Sequence, residues 1–404
     1  METHVKTVRN GAYLVIAAAL LLSIPKLPSD LVFEEYSLLD PPSFEGKLAV
    51  NDALNGAIKL FENEVHAPES LVVYNGVLYT GLADGRVVAV KNDTLYTIAN
   101  LGRPCDQIWD KTKCGRALGV DMDKHGNLFA IDCYHGIYKV NTTTGDFSLI
   151  IPLDKPIAGQ MPLLPNNIAV GPDEAIYWSD TSTKFPLHKL LFIWVGDKSG
   201  RLIRSNQTTG ESEVLMEDLA FSNGVYVSRD GSYVAVVETI KSRVHRYWLK
   251  GPKKGTSEIF LDNLPGVPDN IVPYKNGGFV VSLILTREAP DIPKYLAPFP
   301  RLRQIISRFG ALLEMVLQKI QDVYSTNLCK KMIFYMAHLD STAWFIFNTH
   351  GIALVYDDDG NLVKSLHSTD GILPYISDVV ELDDHYYVGS PYNAFIGKVP
   401  IRNT

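Results

Sequence analysis

Apolar and polar positions alternate in short runs along most of the chain, and turn residues separate the runs. The stretch SLVVYNGVLYTGLADGRVVAV, Ser70–Val90, holds three such runs, divided by an Asn-Gly pair and by a second turn that contains glycine. Alternation over a few residues predicts β-strands, and Asn-Gly turns join antiparallel neighbours. This stretch is therefore predicted to be an antiparallel meander.

The same succession of strands and turns recurs at a nearly constant interval. Successive units begin with spacings of 49, 48, 57 and 47 residues, taking as markers Glu69, Leu118, Asn166, Asn223 and Asn270. A sixth unit begins near Ser377. Repeats of roughly this length with about four strands each are typical of β-propellers. The predicted fold is all-β, a six-bladed β-propeller in which Asn55–Glu64 supplies the outer strand that closes the ring on the sixth blade.

The fifth unit is interrupted, since the sixth marker follows Asn270 only after 107 residues. We expect a helical insertion in blade 5 at about residues 289–344. Its apolar positions recur at the spacing of an amphipathic helix: Leu302, Ile305, Ile306, Phe309, Leu312, Leu313, Val316, Ile320 and Val323. Two interpretations stay open, a helix packed through its apolar side on the propeller, and a hydrophobic lid or membrane-facing element.

The N-terminus carries an apolar run of 14 residues, Gly11–Ile24, preceded by Lys6 and Arg9. As a helix it reaches about 21 Å, short of a hydrocarbon core of about 30 Å, so its length fits a signal peptide. No A-x-A arrangement follows it, and an uncleaved signal-anchor membrane helix is the alternative. The positive flank favours a cytosolic N-terminus and a lumenal or extracellular body, a single-pass type II protein, or a secreted one if the leader is cleaved.

These patterns divide the chain into a cytosolic N-terminus at 1–10, a signal-anchor segment at 11–27, a stalk at 28–54 and a propeller at 55–404. Three glycosylation sequons support the secretory pathway, at Asn92, Asn141 and Asn206. Cys105 and Cys114 bracket a short polar loop that a disulfide could close in an oxidising compartment.

Composition excludes two broad classes of protein. Hydrophobic residues make up 46% of the chain and charged residues 21%, which is material for a packed core and not for disorder. The net charge of −7 is spread without a concentrated basic face. Nucleic acid is therefore an unsuitable partner.

Polar residues recur at the heads of the strands that would line the central channel of the propeller. The heads read PES, PNN, SNG and PDN, and they place carboxylate and amide oxygens in the same phase of successive repeats. A set of oxygen ligands without thiols or histidines suits Ca²⁺, which takes six to eight oxygens. The sequence therefore predicts a calcium site at one end of the channel.

Several phrases, in order along nearly the whole chain, resemble the strictosidine synthase-like group of six-bladed propellers, which is related to paraoxonases and gluconolactonases. They are PES at Pro68, CGRALGV at Cys114, FSNGVYVSRDGSYVAVVET at Phe221, GVPDNI at Gly266 and YISDVVELDDHYYVGS at Tyr375. The resemblance implies a single-pass glycoprotein with a calcium-dependent, hydrolase-like channel, and arylesterase activity is attributed to the animal members. It also implies a Cys105–Cys114 disulfide and the calcium ligands Glu69, Asn166, Asn223, Asp269 and Asn270.

Three positions depart from the pattern of that group. Asn167 stands where relatives commonly carry Asp, and Leu118 stands where paraoxonases have a histidine. Pro374 occupies the place of the catalytic glutamate of true strictosidine synthases, which argues against their Pictet–Spengler reaction.

A hydrolytic mechanism fits the remaining residues, with calcium polarising the carbonyl of a small hydrophobic ester or lactone while an activated water attacks. The candidate bases are Asp132, Asp180 and Glu238, which end channel-side strands. His135 is the nearest histidine and is more typical of a structural residue. The alternative is a non-catalytic receptor or adhesion protein in which calcium is structural, because a propeller does not by itself assign a reaction.

Overall fold

The computed structural model describes residues 31–105, 109–288, 291–338 and 349–402, together with Tyr13 and residues 19–25 and 27–28. Within these ranges the strands form six antiparallel sheets of four strands each. The sheets are arranged as the blades of a ring, because the innermost strand of each blade contacts the innermost strands of its two neighbours. The six-bladed propeller predicted from the repeat is confirmed.

Blades 1 to 4 are meanders of consecutive strands. Blade 1 contains β2 (Leu71–Tyr74), β3 (Val77–Gly81), β4 (Arg86–Lys91) and β5 (Thr94–Asn100). Blade 2 contains β6 (Ala117–Met122), β7 (Asn127–Asp132), β8 (Gly136–Asn141) and β9 (Phe147–Ile151). Blade 3 contains β10 (Pro165–Val170), β11 (Ala175–Asp180), β12 (Gly200–Asn206) and β13 (Ser212–Leu219). Blade 4 contains β14 (Ser222–Val227), β15 (Tyr233–Glu238), β16 (Arg243–Trp248) and β17 (Ser257–Leu261).

Blade 5 is split by an insertion and blade 6 closes the ring. Blade 5 contains β18 (Gly266–Pro273), β19 (Phe279–Thr286), β20 (Gly351–Tyr356) and β21 (Leu362–Ser368). Blade 6 contains β22 (Asp378–Leu382), β23 (His385–Gly389) and β24 (Ile396–Pro400), and its outer strand is β1 (Ile58–Leu60). The pairing of Ile58 with Lys398 joins the two ends of the propeller, as predicted for the segment Asn55–Glu64.

The helices lie outside the blades, on the connections between strands. They are α1 (Lys111–Cys114), α2 (Leu190–Gly196), α3 (Ile292–Leu296), α4 (Pro300–Val323) and α5 (Asn327–His338), with 3-10 turns at Gly46–Leu48, Leu187–Lys189 and Thr239–Lys241. The last three α-helices occupy the connection from β19 to β20, so the helical insertion in blade 5 is confirmed. Proline at the first position of α4 suits a helix start, where its missing N–H has no helical partner.

One apolar cluster lies between each pair of neighbouring blades. A further cluster lies at the end of the ring that carries the strand heads, where α2 and Ala311 of α4 pack on Leu118 and Phe221. Burial on both sides of every blade explains why the strands read as apolar runs. The ring therefore needs no single central core.

The N-terminal segment crosses the same end of the ring. Residues 31–54, predicted as a stalk, lie against the body: Tyr36 N–H donates to Ala297 O at 3.3 Å. Of residues 11–27, predicted as a signal anchor, positions 11, 12, 14–18 and 26 lie outside the described residues. In the described ranges no helix is both long and apolar enough to cross a membrane.

The cysteine prediction is confirmed, because Cys105 and Cys114 form a disulfide across Cα atoms 5.3 Å apart. Cys133 is buried and Cys329 is partly exposed, and neither belongs to the disulfide. The side chains of Asn92, Asn141 and Asn206 are exposed, as a glycan acceptor requires, and their modification stays a prediction.

Candidate functional site

The inner strands of blades 2 to 5 share one irregularity at their heads. In β10 the pairing with β11 shifts between Pro165 and Ile168, and in β14 the pairing with β15 shifts between Ser222 and Val225. Strands β6 and β18 shift at equivalent points. A bulge bends a strand and re-aims the side chains within it. The bulged stretches contain Leu118 in blade 2 and the polar heads of blades 3, 4 and 5, so one backbone irregularity is common to these four heads, whereas Glu69 precedes β2, which has no such shift.

Glycine allows neighbouring heads to approach each other closely. A Cβ on Gly224, directly after Asn223, would lie 2.6 Å from the Cα of Asn270 and 2.5 Å from the nitrogen of Ile271. A Cβ on Gly119 would lie 2.7 Å from the Cα of Asn167. The glycine of the Asn-Gly pair in blade 4 is therefore required by the close contact between inner strands.

Four of the five predicted metal ligands line one cavity of about 80 Å³, namely Glu69, Asn166, Asn223 and Asp269. The remaining lining residues form an apolar wall broken by Thr239 and Arg116: Leu118, Leu187, Leu190, Trp194, Phe221, Ile284, Pro391 and Tyr392. We call the four ligands together with Asp378, which lies beside them at the head of β22, the floor. The structure thus combines a polar floor with apolar walls.

Three oxygens of the floor are buried and make no hydrogen bond: Oδ1 of Asn166, Oδ1 of Asn223 and Oδ1 of Asp378. A buried acceptor without a donor costs about 1–3 kcal/mol, so each calls for a partner that the protein chain does not supply. No three His, Cys, Asp or Glu side chains of the described part of the chain are placed to hold a metal alone. Amide oxygens would therefore have to complete any metal site here.

The carboxyl groups of the floor repel each other. Burial and the charge of Glu69 raise the pKa of Asp269 well above its usual range. The hydrogen bond of 2.5 Å that Asp269 accepts from Asn223 Nδ2 lowers this pKa, but by less. Burial also raises the pKa of Asp378, and Glu69 adds to the shift. A cation at the floor would relieve both effects, because it stabilises the charged form of each acid.

Arg116 is the cation that the protein itself brings to the floor. Its Nη2 lies 3.1 Å from Glu69 Oε2, and its Nη1 donates to Ala67 O at 2.7 Å. The guanidinium is only 3% exposed. Sequence reasoning missed Arg116 and Asp378, although Arg116 lies within the quoted CGRALGV phrase and Asp378 follows the marker Ser377.

Asn270, the fifth predicted ligand, is held differently from Asn166 and Asn223. Val225 N–H donates to Asn167 Oδ1 at 3.0 Å, which fixes the Asn167 amide so that its Nδ2 donates to Asn270 Oδ1, also at 3.0 Å. The atom of Asn270 left without a partner is therefore its nitrogen, Nδ2. Asn167 stands where relatives commonly carry Asp. Its side chain donates to Oδ1 of Asn270, the atom with which Asn270 would bind a metal.

The three candidate bases lie away from the cavity lining and share another arrangement. Each ends the second strand of its blade and accepts a backbone N–H that precedes or begins the inner strand: Asp132 from Arg116, Asp180 from Leu164 and Glu238 from Ala220. We call these three acids the clasp. Their position favours a structural role, and no general base is assigned among them.

Basic groups complete the clasp. Arg201 binds Asp180 at 2.6 Å, and Arg243 and His245 bind Glu238 at 2.5 and 2.7 Å. Burial still raises the pKa of Asp180 to about 6 against the Arg201 charge. Burial would also raise the pKa of Glu238, but hydrogen bonds from His245, the Ala220 N–H and Arg243 lower it. His135 Nδ1 lies 3.1 Å from Asp132 and belongs to the same arrangement.

Comparison with family models supports the likeness seen in the sequence. The model for strictosidine synthase matches residues 166–252, and the model for the N-terminal part of strictosidine synthase-like proteins matches residues 46–90. The first match includes two floor residues, Asn166 and Asn223, but does not reach Pro374.

Among solved structures, a gluconolactonase of Xanthomonas campestris superposes with a TM-score of 0.54 at 14% identity, over 92% of this chain and 99% of that one. The calcium-binding protein regucalcin of Agrobacterium tumefaciens superposes with a TM-score of 0.51 at 12% identity, over 87% and 96%. Identity this low supports the shared propeller fold alone.

The curated relatives cover nearly the whole chain. The adipocyte plasma membrane-associated protein of Rattus norvegicus is 32% identical over 96% of this chain and 97% of its own length. The Homo sapiens protein of that name is 33% identical over 96% and 87%, and Hemomucin of Drosophila melanogaster is 32% identical over 94% and 67%. The chain therefore belongs to the adipocyte plasma membrane-associated protein family of strictosidine synthase-like β-propellers.

Proposed function

We propose that the chain is a membrane-anchored, calcium-dependent hydrolase of arylesterase or lactonase type that acts on small hydrophobic esters. The observation that carries the proposal is the floor: unpaired amide oxygens of Asn166 and Asn223 lie beside the carboxyl groups of Glu69 and Asp269 in a cavity with apolar walls. Hard oxygen donors and an excess of acidic charge suit a calcium ion.

The residues present fit calcium in charge as well as in donor type. Three acids of the floor, Glu69, Asp269 and Asp378, meet one buried cation, Arg116, so a divalent ion would bring the group close to neutrality. Asn166 and Asn223 would add neutral oxygens without further repulsion. Asn270 would bind through its oxygen only if the Asn167 amide released it.

Each part of the cavity has a role in this proposal. The apolar walls, with Trp194 and Phe221, would take the acyl or aryl part of an ester and keep bulk water away from the floor. Bound calcium would polarise the ester carbonyl and stabilise the oxyanion. The carboxyl groups that face the cavity are Glu69 and Asp269, and Glu69 already forms an ion pair with Arg116, which leaves Asp269 as our choice for proton transfer.

The cavity is small for such a substrate, since ligand pockets usually measure about 300–1,000 Å³. Its roof is built from Leu187, Leu190 and Trp194, which lie on the 3-10 turn before α2 and on α2 itself. We therefore expect α2 and the turn before it to move when an ester enters.

Membrane anchoring is supported by the apolar N-terminal run and by the relatives, whose names describe them as plasma membrane-associated. The type II topology, with the propeller in the lumen or outside the cell, is proposed from the positive charges at Lys6 and Arg9.

The second candidate is a non-catalytic propeller, a receptor or adhesion protein in which calcium is structural. One observation favours it: all three acids predicted as bases belong to the clasp, and Leu118 stands where paraoxonases carry a histidine. A cation at the floor would then join the heads of the blades without activating water.

The test is hydrolysis of phenyl acetate and of simple lactones by the purified full-length chain in detergent, with calcium, with chelator, and after calcium is restored. We expect turnover with calcium, its loss with chelator, and its loss in Asn223→Ala and Asp269→Asn. The matched control is Asp154→Asn, an exposed loop acid, which should hydrolyse at the wild-type rate. Absent turnover in a protein that still binds calcium would favour the second candidate. Turnover that survives both chelator and floor substitutions would contradict the proposal.

A further inference from the structure

Helix α4 is amphipathic, but it buries its mostly polar side and exposes its apolar side. A helix on the surface of a water-soluble protein does the reverse. The side that it buries against the body carries Arg303, Ser307, Arg308, Gly310 and Ala311, and Leu317 is the one large apolar side chain buried there. The nine apolar positions that predicted the helix are all partly or largely exposed: Leu302, Ile305, Ile306, Phe309, Leu312, Leu313, Val316, Ile320 and Val323. The interpretation that this apolar side packs on the propeller is therefore wrong.

The outward position of the apolar side is fixed by polar contacts on the inward side. Arg303 Nη1 donates to Val195 O of α2 at 3.0 Å, and Glu314 forms an ion pair with Lys189. Gly310 lies against Leu191, and a Cβ there would come within 2.6 Å of the Leu191 side chain, which would have to shift. Rotating the helix to bury its apolar side would break all of these contacts.

The exposed apolar surface extends over the described helices of the insertion. Val323 is 71% exposed, Phe309 60% and Val316 54%. A groove near the end of α4 is lined by Met315, Val316, Lys319, Ile320, Val323 and Tyr324. Exposed aromatic and aliphatic side chains continue the surface on α3, α5 and the residues between: Ile292, Tyr295, Phe299, Leu328, Met332 and Tyr335. Contiguous apolar patches of this kind mark a surface that binds a partner or a membrane.

The N-terminal apolar run reaches the body at this helix. Arg308 donates to Leu21 O at 2.8 Å and to Leu27 O at 3.2 Å. Leu27 and Leu31 pack in the cluster that contains Ala311 of α4. Leu20, inside the apolar run, is 62% exposed. The described end of the apolar run, with its exposed Leu20, therefore meets the insertion at α4.

The charge of the insertion differs in sign from that of the chain. Residues 291–338 hold seven Lys and Arg against three Asp and Glu, whereas the whole chain has a formal net charge of −7. Lys319 lies at the groove, where a long side chain can bury its stem in an apolar layer and keep its ammonium at the headgroups. Basic residues and exposed tyrosines beside an apolar surface suit the interface of a phospholipid bilayer.

We propose that α4 and α5 lie in the interface of the bilayer that the N-terminal segment enters, with the apolar side of α4 buried among the lipids. The occupant of this surface is the lipid layer itself. Interfacial helices sink their apolar side about 5–10 Å into the boundary between headgroups and acyl chains. This contact rests on the proposed membrane anchoring and not on the hydrolytic chemistry, because no floor residue takes part in it.

The test measures the surroundings of single labels on the full-length chain in phosphatidylcholine nanodiscs. Cys329 is replaced by serine, and an NBD fluorophore is attached at Val316→Cys or Val323→Cys on α4. The control label is at Tyr96→Cys on β5, an exposed position on the side of the propeller. Cys133 is buried, and Cys105 and Cys114 are joined, so none of the three competes for the label.

We expect the labels on α4 to shift to shorter emission wavelength, to lose emission when doxyl-labelled lipid is added, and to be protected from aqueous iodide. The label at position 96 should show the opposite behaviour. Adding Ile320→Asp to the Val316→Cys chain should reduce quenching by doxyl lipid. Labels on α4 that iodide reaches freely would overturn the proposal. Protection from iodide without quenching by doxyl lipid would overturn it too, because protein would then cover the surface, either a second copy or another segment of this chain.

Discussion

Two sets of buried acids lie near the same end of this propeller, and they differ in what surrounds them. The clasp acids, Asp132, Asp180 and Glu238, each accept a backbone N–H and contact a basic side chain. The floor acids, Asp269 and Asp378, have few donors and lie close to another acid, Glu69. The clasp is complete within the protein chain, whereas the floor has one cation, Arg116, for three acids.

This difference separates structural acids from candidate functional acids better than residue type or burial does. Both sets lie at the ends of strands near the channel, and both are almost fully buried. An acid with a full set of donors stabilises the fold and has no capacity left for a ligand. An acid held among other acids destabilises the fold unless a cation joins it, so its arrangement is explained by binding.

The largest effect should come from breaking the clasp. Asp180→Asn leaves the Arg201 guanidinium, 3% exposed, without its carboxylate. Losing one partner of a buried ion pair costs about 3–5 kcal/mol, and we expect a loss of this size in the free energy of unfolding. Urea unfolding of the full-length chain measures it. The additional stabilisation by calcium should stay as in the wild type, and loss of that increment would mean that clasp and floor are not separate.

Calcium removal should have the next largest effect, and it should act through the floor. At a calcium concentration one hundred times Kd, the wild type should gain about 2.7 kcal/mol of stability over the chelated protein. Asp269→Asn should lose this gain, and its chelated form should be at least as stable as the chelated wild type, because repulsion with Glu69 is removed. Thermal unfolding with and without calcium measures both differences. If the chelated variant is much less stable than the chelated wild type, Asp269 has a structural role like that of the clasp acids.

A gain of function should follow from Asn167→Asp. The new carboxylate would accept from Val225 N–H and from Asn270 Nδ2, so the Asn270 oxygen would turn toward the cation. We expect calcium affinity to rise roughly tenfold, equivalent to about 1.4 kcal/mol. Calorimetric titration measures the change, with Asp154→Asn again as the control for an altered charge elsewhere. Unchanged or weaker binding would contradict the role given to the Asn167–Asn270 hydrogen bond.

The smallest effect concerns pH and Glu238. Burial would raise the pKa of this carboxyl, but its partners lower it below the ordinary value of 4.5. A carboxylate with a lowered folded-state pKa stabilises the protein above pH 4.5, and the contribution is lost as the pH falls through the folded-state value. The wild type should therefore lose part of its advantage over Glu238→Gln as the pH falls below 4.5. Unfolding at a series of pH values measures this, and a constant difference between the two proteins would refute the prediction.

The sequence predicted the ring because the blades recur at a nearly constant interval. That interval can be read from the sequence without knowledge of any contact. The period located the heads, the long gap after Asn270 located the insertion, and the strand around Ile58 closed the sixth blade as expected. The heads could be grouped because residues in the same phase of a propeller meet at the same end of the channel.

Partners and facing surfaces could not be predicted in this way. Asp180 and Asp269 are both acids at strand ends, and only the fold shows that Arg201 meets one while Glu69 faces the other. Arg116 was not recognised because it does not recur at the same place in successive repeats. The helical spacing of Phe309 and Val316 predicts that one side of α4 is apolar, and it carries no information about what that side faces.

The most direct test of the calcium floor is calorimetric titration of calcium into the chelated full-length protein and its Asp269→Asn variant. The wild type should take up calcium at a site that the variant lacks, while Asp154→Asn behaves as the wild type. Equal calcium uptake by the wild type and Asp269→Asn, or none by either, would contradict the account.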